Sequence, residues 1–173
     1  MNNKKVNDII NILNKIEYGW TDKDGNNYLE VNDNFSDNYY LKSPEEVLKT
    51  KLGVCFDQVE LERKLFTDAN IKFNTYFIVH YNEEKLPSHT FLIYELDNKY
   101  YWFESSWKIY KGIHEYSSIN DALKDIKDKF IETEVGDVYN PYNLCIYKYE
   151  KPKYGISSLE FYNHCEKGEN III

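Results

Sequence analysis

The feature that most constrains this chain is a switch to a period of two that starts at Ile71 and returns through Ser106. Phe73, Thr75, Phe77 and Val79 alternate with Lys72, Asn74, Tyr76 and Ile78, the pattern of a strand whose successive side chains point to opposite faces. A polar loop over 82–87 follows, then two runs, 89–96 and 99–106, rich in β-branched and aromatic residues. Asp97-Asn98 between them has the chemistry of a tight hairpin turn. Three antiparallel strands in succession must be covered, and the rest of the chain supplies helices to do it.

Val6, Ile9, Ile10, Leu13 and Ile16 recur at helical spacing and predict an amphipathic helix over 4–17. The stretch 18–31 reads as a hairpin around a polar turn, and 32–42 as a polar, Tyr-rich connection. Ser43-Pro44-Glu45-Glu46 has a capping-box arrangement with proline at the first helical position, predicting a helix to about Lys51 that Gly53 breaks. A second helix over 55–68 carries Val59, Leu61, Leu65 and Phe66 inward, with Glu60, Arg63 and Lys64 in solvent. Ser118 with Asp121 opens another helix whose buried stripe is Ala122, Leu123, Ile126 and Phe130. A strand over 144–149, a capping box at Ser157 and Glu160, and a last helix ending at Gly168 complete the pattern. The tail Ile171-Ile172-Ile173 fits either a short strand or an interface. The order predicts an α+β fold, N-terminal helices packed on a largely antiparallel sheet.

With 173 residues, 42% of them hydrophobic, the chain is expected to form one domain over 1–173. A net charge of -8 argues against a nucleic-acid or anionic-membrane surface, since both need clustered cations. Neither a signal peptide nor a transmembrane run is read in the sequence, so a cytoplasmic location is expected. The three cysteines, Cys55, Cys145 and Cys165, are too few and too scattered for a disulfide framework and leave at least one free thiol. No metal or other cofactor is expected. Cys145, His164 and Cys165 lack metal-ligand spacing, and adjacent His164 and Cys165 point to different helix faces. Asp22, Asp24 and Asn26 alternate as in a calcium loop, but Asn27 stands where that loop needs glycine and Asp33 where it needs glutamate. A polar turn is the reading adopted.

The chemistry is carried by Gly53-Val54-Cys55-Phe56-Asp57. A cysteine at a helix start faces unpaired N–H groups and the positive end of the helix dipole, which favour a thiolate; the structural alternative is a small buried apolar residue. If Asp97 and Asn98 form the whole loop, His89, Phe91 and Ile93 share a face with Tyr100, Trp102 and Glu104. His89 and Glu104 then become diagonal neighbours at about 7–8 Å, a gap long side chains close. A thiol, an imidazole and a carboxylate in one cleft are the parts of an activated nucleophile. His80 and His114 are weaker candidate bases, because neither begins a strand whose partner returns an acid.

These segments, Gly53-Val54-Cys55-Phe56-Asp57, Ser88-His89-Thr90-Phe91-Leu92-Ile93-Tyr94 and Tyr100-Tyr101-Trp102-Phe103-Glu104, together resemble the transglutaminase-like superfamily of papain-like cysteine enzymes. The resemblance covers about 51–107, with a catalytic core expected over 43–108. It implies Cys55 as nucleophile, His89 as general base and later acid, and Glu104 as the orienting acid where the family usually has aspartate. It further implies acyl transfer on an amide through a thioester, with a protein or peptide as substrate. The oxyanion donors it calls for are the Cys55 backbone N–H, with Trp20 or Gln58 as the second. Asp57 matches an acid frequent after the cysteine, although a carboxylate also suits any first helical turn. Because the superfamily includes members that have lost catalysis, a protein-binding domain is the alternative, for which 17 Tyr and 9 Phe would supply a surface.

Overall fold

A computed structural model describes residues 2–83 and 86–173, so the middle of the expected polar loop over 82–87 lies outside the described residues. Helix α1 (Asn2–Leu13) is followed by a minimal hairpin, β1 (Trp20–Thr21) and β2 (Asn27–Tyr28), then by α2 (Phe35–Asn38), α3 (Pro44–Thr50) and α4 (Cys55–Asp68). Strands β3 (Phe73–His80), β4 (Ser88–Leu96), β5 (Lys99–Glu104) and β6 (Gly112–Tyr116) come next. Helix α5 (Ile119–Phe130), strand β7 (Leu144–Tyr149), helix α6 (Ser158–Glu166) and strand β8 (Glu169–Asn170) complete the order.

The main sheet has six strands in the order β6-β5-β4-β3-β7-β8, and every pairing in it is antiparallel. The fold is therefore α+β, with helices on an antiparallel sheet. The central hairpin closes as the sequence requires: Leu96 pairs with Lys99, and Asp97 and Asn98 both take left-handed backbone angles, φ 51° and 61°. That is the geometry of a two-residue turn whose twist matches the strands. Phe91, Ile93 and Trp102 on one face pack under the Ala122, Leu123, Ile126 and Phe130 stripe of α5. Leu92, Tyr94 and Phe103 on the other face pack under α1, α3 and α4 through Leu13, Val47, Leu61 and Phe66.

Several local expectations change. Helix α1 ends at Leu13 and not near residue 17, because Lys15 and Ile16 turn back onto Ile12 and Leu13. Only two residue pairs of the 18–31 hairpin form, Trp20 with Tyr28 and Thr21 with Asn27. Its turn is tied by Asp22, whose carboxylate accepts hydrogen bonds from the Asp24 and Asn26 backbone, the Asn26 amide and the Tyr28 hydroxyl. The carboxylate that would begin a calcium loop is thus used by its own turn. Lys51, at φ 57°, terminates α3, so Gly53 is not the breaker. Gly53 is needed for close approach: a Cβ there would lie 2.9 Å from the Asp57 Cβ.

Glu60 and Arg63 were expected in solvent, yet Glu60 is fully buried and Arg63 bridges from it to Thr75 on β3. The reason is tertiary. Strand β7 brings the Tyr149 hydroxyl to Glu60 and covers a helix face that period alone marks as polar. Strand β6 was not foreseen, since the inner face of Gly-Ile-His-Glu-Tyr at a sheet edge is made by half-buried His114 and Tyr116, too short and too polar to give an alternating apolar signal. The Ile171-Ile172-Ile173 tail is not itself a strand: the short strand lies just before it, where Glu169 and Asn170 pair with β7, and the Ile171 N–H donates to the Ile146 carbonyl.

Candidate active site

Cys55 is the first residue of α4. Its turn is rigid because Asp57, at the third helical position, reaches back to accept the Val54 N–H at 3.0 Å. The other Asp57 oxygen accepts the Tyr39 hydroxyl and the Lys42 N–H, each at 2.9 Å. The acid after the cysteine is therefore a buried clamp that ties the helix start to the 39–42 segment. Burial pushes its carboxyl up to about 6, against the pull of those bonds and of the Lys42 ammonium. Gln58 on the next position ties the same turn from inside, its amide donating to the Gly53 carbonyl at 2.8 Å.

His89 lies one residue into β4 and Glu104 ends β5. Their Nε2 and Oε2 atoms are 2.8 Å apart, and the two residues are 7% and 4% exposed, so water competes little with the pair. The second Glu104 oxygen accepts the Ser106 and Trp107 N–H groups at 2.8 and 2.7 Å and the Ser106 hydroxyl at 3.1 Å. Burial acts to raise the Glu104 carboxyl, but His89 and these donors bring it below the usual range. Around His89 the balance runs the other way: burial acts to lower it, while the Glu104 charge, the bond that the ring donates to Glu104 and the neighbouring Cys55 lift it to about 10. With Nε2 committed to Glu104, Nδ1 is the nitrogen left for the thiol. The Trp107 ring, 4.8 Å from the imidazole, packs beside it.

Cys55 and His89 line one open cavity of about 410 Å³ together with Tyr18, Leu29, Ser88, Ser106, Trp107, Lys108 and Glu134. Cys55, His89 and Glu104, proposed from three separated segments, are thus brought together. Trp20 and Gln58 are not placed as expected for oxyanion donors. The Trp20 indole N–H donates to the Glu30 carbonyl at 3.0 Å, the Gln58 amide is turned to Gly53, and neither side chain lines the cavity. Sequence reading missed Trp107 and Glu134, whose segments carry no periodic signal. Glu134 reaches the cavity from a wide π turn, Ile131–Val135, that extends α5.

The remaining candidates are engaged elsewhere. The His80 Nε2 accepts the Asn140 N–H at 3.1 Å, and the His114 Nε2 donates to the Tyr110 carbonyl at 2.7 Å. All three cysteines are free thiols. Among the described residues, no group of three or more His, Cys, Asp or Glu is placed to hold a metal ion, and no helix is long and apolar enough to cross a membrane.

A helix-borne cysteine beside a strand-borne histidine and acid, on an α+β scaffold, defines the architecture of papain-like cysteine proteins. The sequence profile of the family described as "Transglutaminase-like domain" matches residues 2–139, and the chain belongs to that family. The match ends before β7, α6 and β8, of which β7 and β8 extend the sheet beyond β3. No curated protein matches the sequence.

Proposed function

We propose that this protein is a cysteine-dependent acyl-transfer enzyme that attacks an amide carbonyl with Cys55, uses His89 as base and acid, and orients His89 through Glu104. The observation that carries this reading is the His89 ring, bonded through Nε2 to the buried Glu104 carboxylate and lining one cavity with the Cys55 thiol. His89 takes the thiol proton and, as imidazolium, stabilises the thiolate. The thiolate adds to the carbonyl carbon, and the oxyanion faces the Cys55 backbone N–H in the first turn of α4. On collapse the C–N bond breaks, His89 returns the proton to the departing amine, and a thioester remains on Cys55. Water or a second amine, deprotonated by His89, then releases the acyl group.

An open cavity framed by Tyr18, Leu29 and Trp107, with Lys108 and Glu134 also in its lining, supports a peptide or protein side chain as substrate. The whole 173-residue chain would act as one domain, and its charge of -8 supports a location away from nucleic acid and anionic membrane. The test is a broad amide and peptide screen of wild type beside Cys55→Ala, with intact-mass spectrometry. Turnover together with an acyl adduct on Cys55, both absent from Cys55→Ala, is the expected result. Turnover that survives Cys55→Ala overturns the mechanism.

A further inference from the structure

Beneath the proposed triad lies a second, fully enclosed polar chain that the mechanism above does not use. Glu62 stands on α4 two turns after Cys55 and is 1% exposed. Ser105, next to Glu104, is 7% exposed. Its hydroxyl oxygen lies 2.5 Å from Glu62 Oε1 and 2.9 Å from Gln58 Oε1. The Gln58 amide nitrogen is fixed to the Gly53 carbonyl at 2.8 Å, so the oxygen of that amide is the atom facing Ser105.

Counting hydrogens decides the protonation state. A serine hydroxyl has one hydrogen to give, while an amide oxygen and an ionised carboxylate only accept. Ser105 therefore cannot satisfy both neighbours unless one of them donates. Gln58 cannot, because turning its amide round would set its oxygen against the Gly53 carbonyl. The proton must come from the acid.

We infer that Glu62 is a neutral carboxylic acid and a positioning residue for the Cys55 turn, donating to Ser105, which donates to Gln58, whose amide holds the Gly53 carbonyl. Among the described residues the second Glu62 oxygen has no hydrogen-bond partner, which a neutral acid tolerates far better than a carboxylate. The charged groups around it point the same way. Burial and the negative charges of Glu104 on β5 and Glu60 on α4 favour the protonated form, outweighing the His89 charge on β4 and what a Ser105 hydroxyl donated to the ionised form would give, and the carboxyl stands well above its ordinary value. Keeping Glu62 neutral leaves Glu104 as the carboxylate that pairs with His89. The proton on Glu62 and the hydrogen-bond chain stand on geometry alone, whereas the positioning role rests on the reading of Cys55 as nucleophile.

The two parts are tested separately. For the proton, the protein is labelled with 13C at the glutamate carboxyl carbons, and Glu62 is assigned by the signal missing from Glu62→Gln. A Glu62 signal at the protonated position at pH 7 is expected, and an ionised position overturns the inference. Unfolding midpoints give an independent readout. A carboxyl whose folded pKa is raised contributes stability that is complete below its unfolded value and is lost as pH rises towards the folded value. Glu62→Gln should accordingly gain on wild type as pH rises above about 4.3, and a difference that stays flat with pH overturns the neutral acid.

For positioning, Cys55 alkylation by iodoacetamide is followed across pH. Glu62→Ala should slow it several-fold, and Glu62→Gln, whose amide still donates to Ser105, should restore it. Equal rates in all three proteins remove the positioning role even with Glu62 neutral. Should Glu62→Ala not fold, Ser105→Ala takes its place, with the same slowing expected and an unchanged rate decisive against the role. None of these measurements needs substrate, so failure of the proposed acyl transfer is seen separately.

Discussion

Across the β4–β5 hairpin, the His89 imidazole and the Glu104 carboxylate form a buried pair with Nε2 and Oε2 2.8 Å apart. Burial opposes the imidazolium, but the Glu104 charge and the Cys55 contact outweigh it and place His89 at about 10, above the ordinary 6.5. The His89 side of the pair therefore contributes stability that is complete below pH 6.5 and is lost as pH rises through about 10, whereas the Glu104 side, its carboxyl held low, is lost as pH falls through its folded value. An NMR titration of the His89 ring should give a midpoint near the upper value, and Glu104→Gln should bring it down. A wild-type midpoint at the ordinary histidine value contradicts the pairing.

Glu104 spans further than an aspartate can. One oxygen holds His89 while the other accepts three donors from Ser106 and Trp107. Shortening the side chain by a methylene forces a choice between these two sets. Glu104→Asp is expected to lower kcat/KM by about 10-fold, and Glu104→Gln by up to about 10⁴-fold, the loss associated with turning the orienting acid of a triad into its amide. Full activity in Glu104→Asp would show that the longer reach has no role.

What the sequence revealed of this site follows from where its signals are periodic. The turn at Asp97-Asn98 fixes hairpin parity, and parity alone places His89 and Glu104 on one side, so that relationship was legible. The start of α4 was legible because Gly53 interrupts two helical patterns. The environment of Glu60 and Arg63 was not, since it depends on Tyr149 arriving from more than 80 residues away. Trp20 looked suited to an oxyanion role on residue type, but its N–H is taken by a carbonyl of the small hairpin that encloses it. Local pattern reports which face is apolar; it does not report which polar groups a distant strand will cover.

Asp57 satisfies three donors, the Tyr39 hydroxyl and the Lys42 and Val54 N–H groups, with a fully buried side chain. Asp57→Ala leaves them without a partner, at about 1–3 kcal/mol for each that water cannot reach, so a loss of about 3 kcal/mol or more is expected from urea unfolding. The carboxyl also has its own pH signature. Burial raises it from 3.8 to about 6, so its contribution is complete below pH 3.8 and is lost as pH rises through about 6. Wild-type unfolding free energies between these values should carry that slope, and Asp57→Asn should flatten it. An identical slope in both proteins would assign the titration to another group.

Gly53 offers the sharpest test of how the nucleophile is held. Its backbone has no left-handed angle to protect, so the requirement for glycine is one of space. A Cβ would meet the Asp57 Cβ at 2.9 Å and the Gln58 Cγ at 3.4 Å, both on the first turns of α4. Neither is a free chain end: Asp57 is fastened to Tyr39, Lys42 and Val54, and Gln58 to Ser105 and the Gly53 carbonyl. Relief must come from the helix start moving away, which carries Cys55 with it relative to His89. Gly53→Ala is expected to cost about 1–3 kcal/mol, the usual range for overpacking, and to slow Cys55 alkylation while the overall fold persists. Thermal unfolding and alkylation rates measured on the same preparation separate these effects. A loss of stability with unchanged thiol reactivity would mean that strain at residue 53 is absorbed without displacing the cysteine.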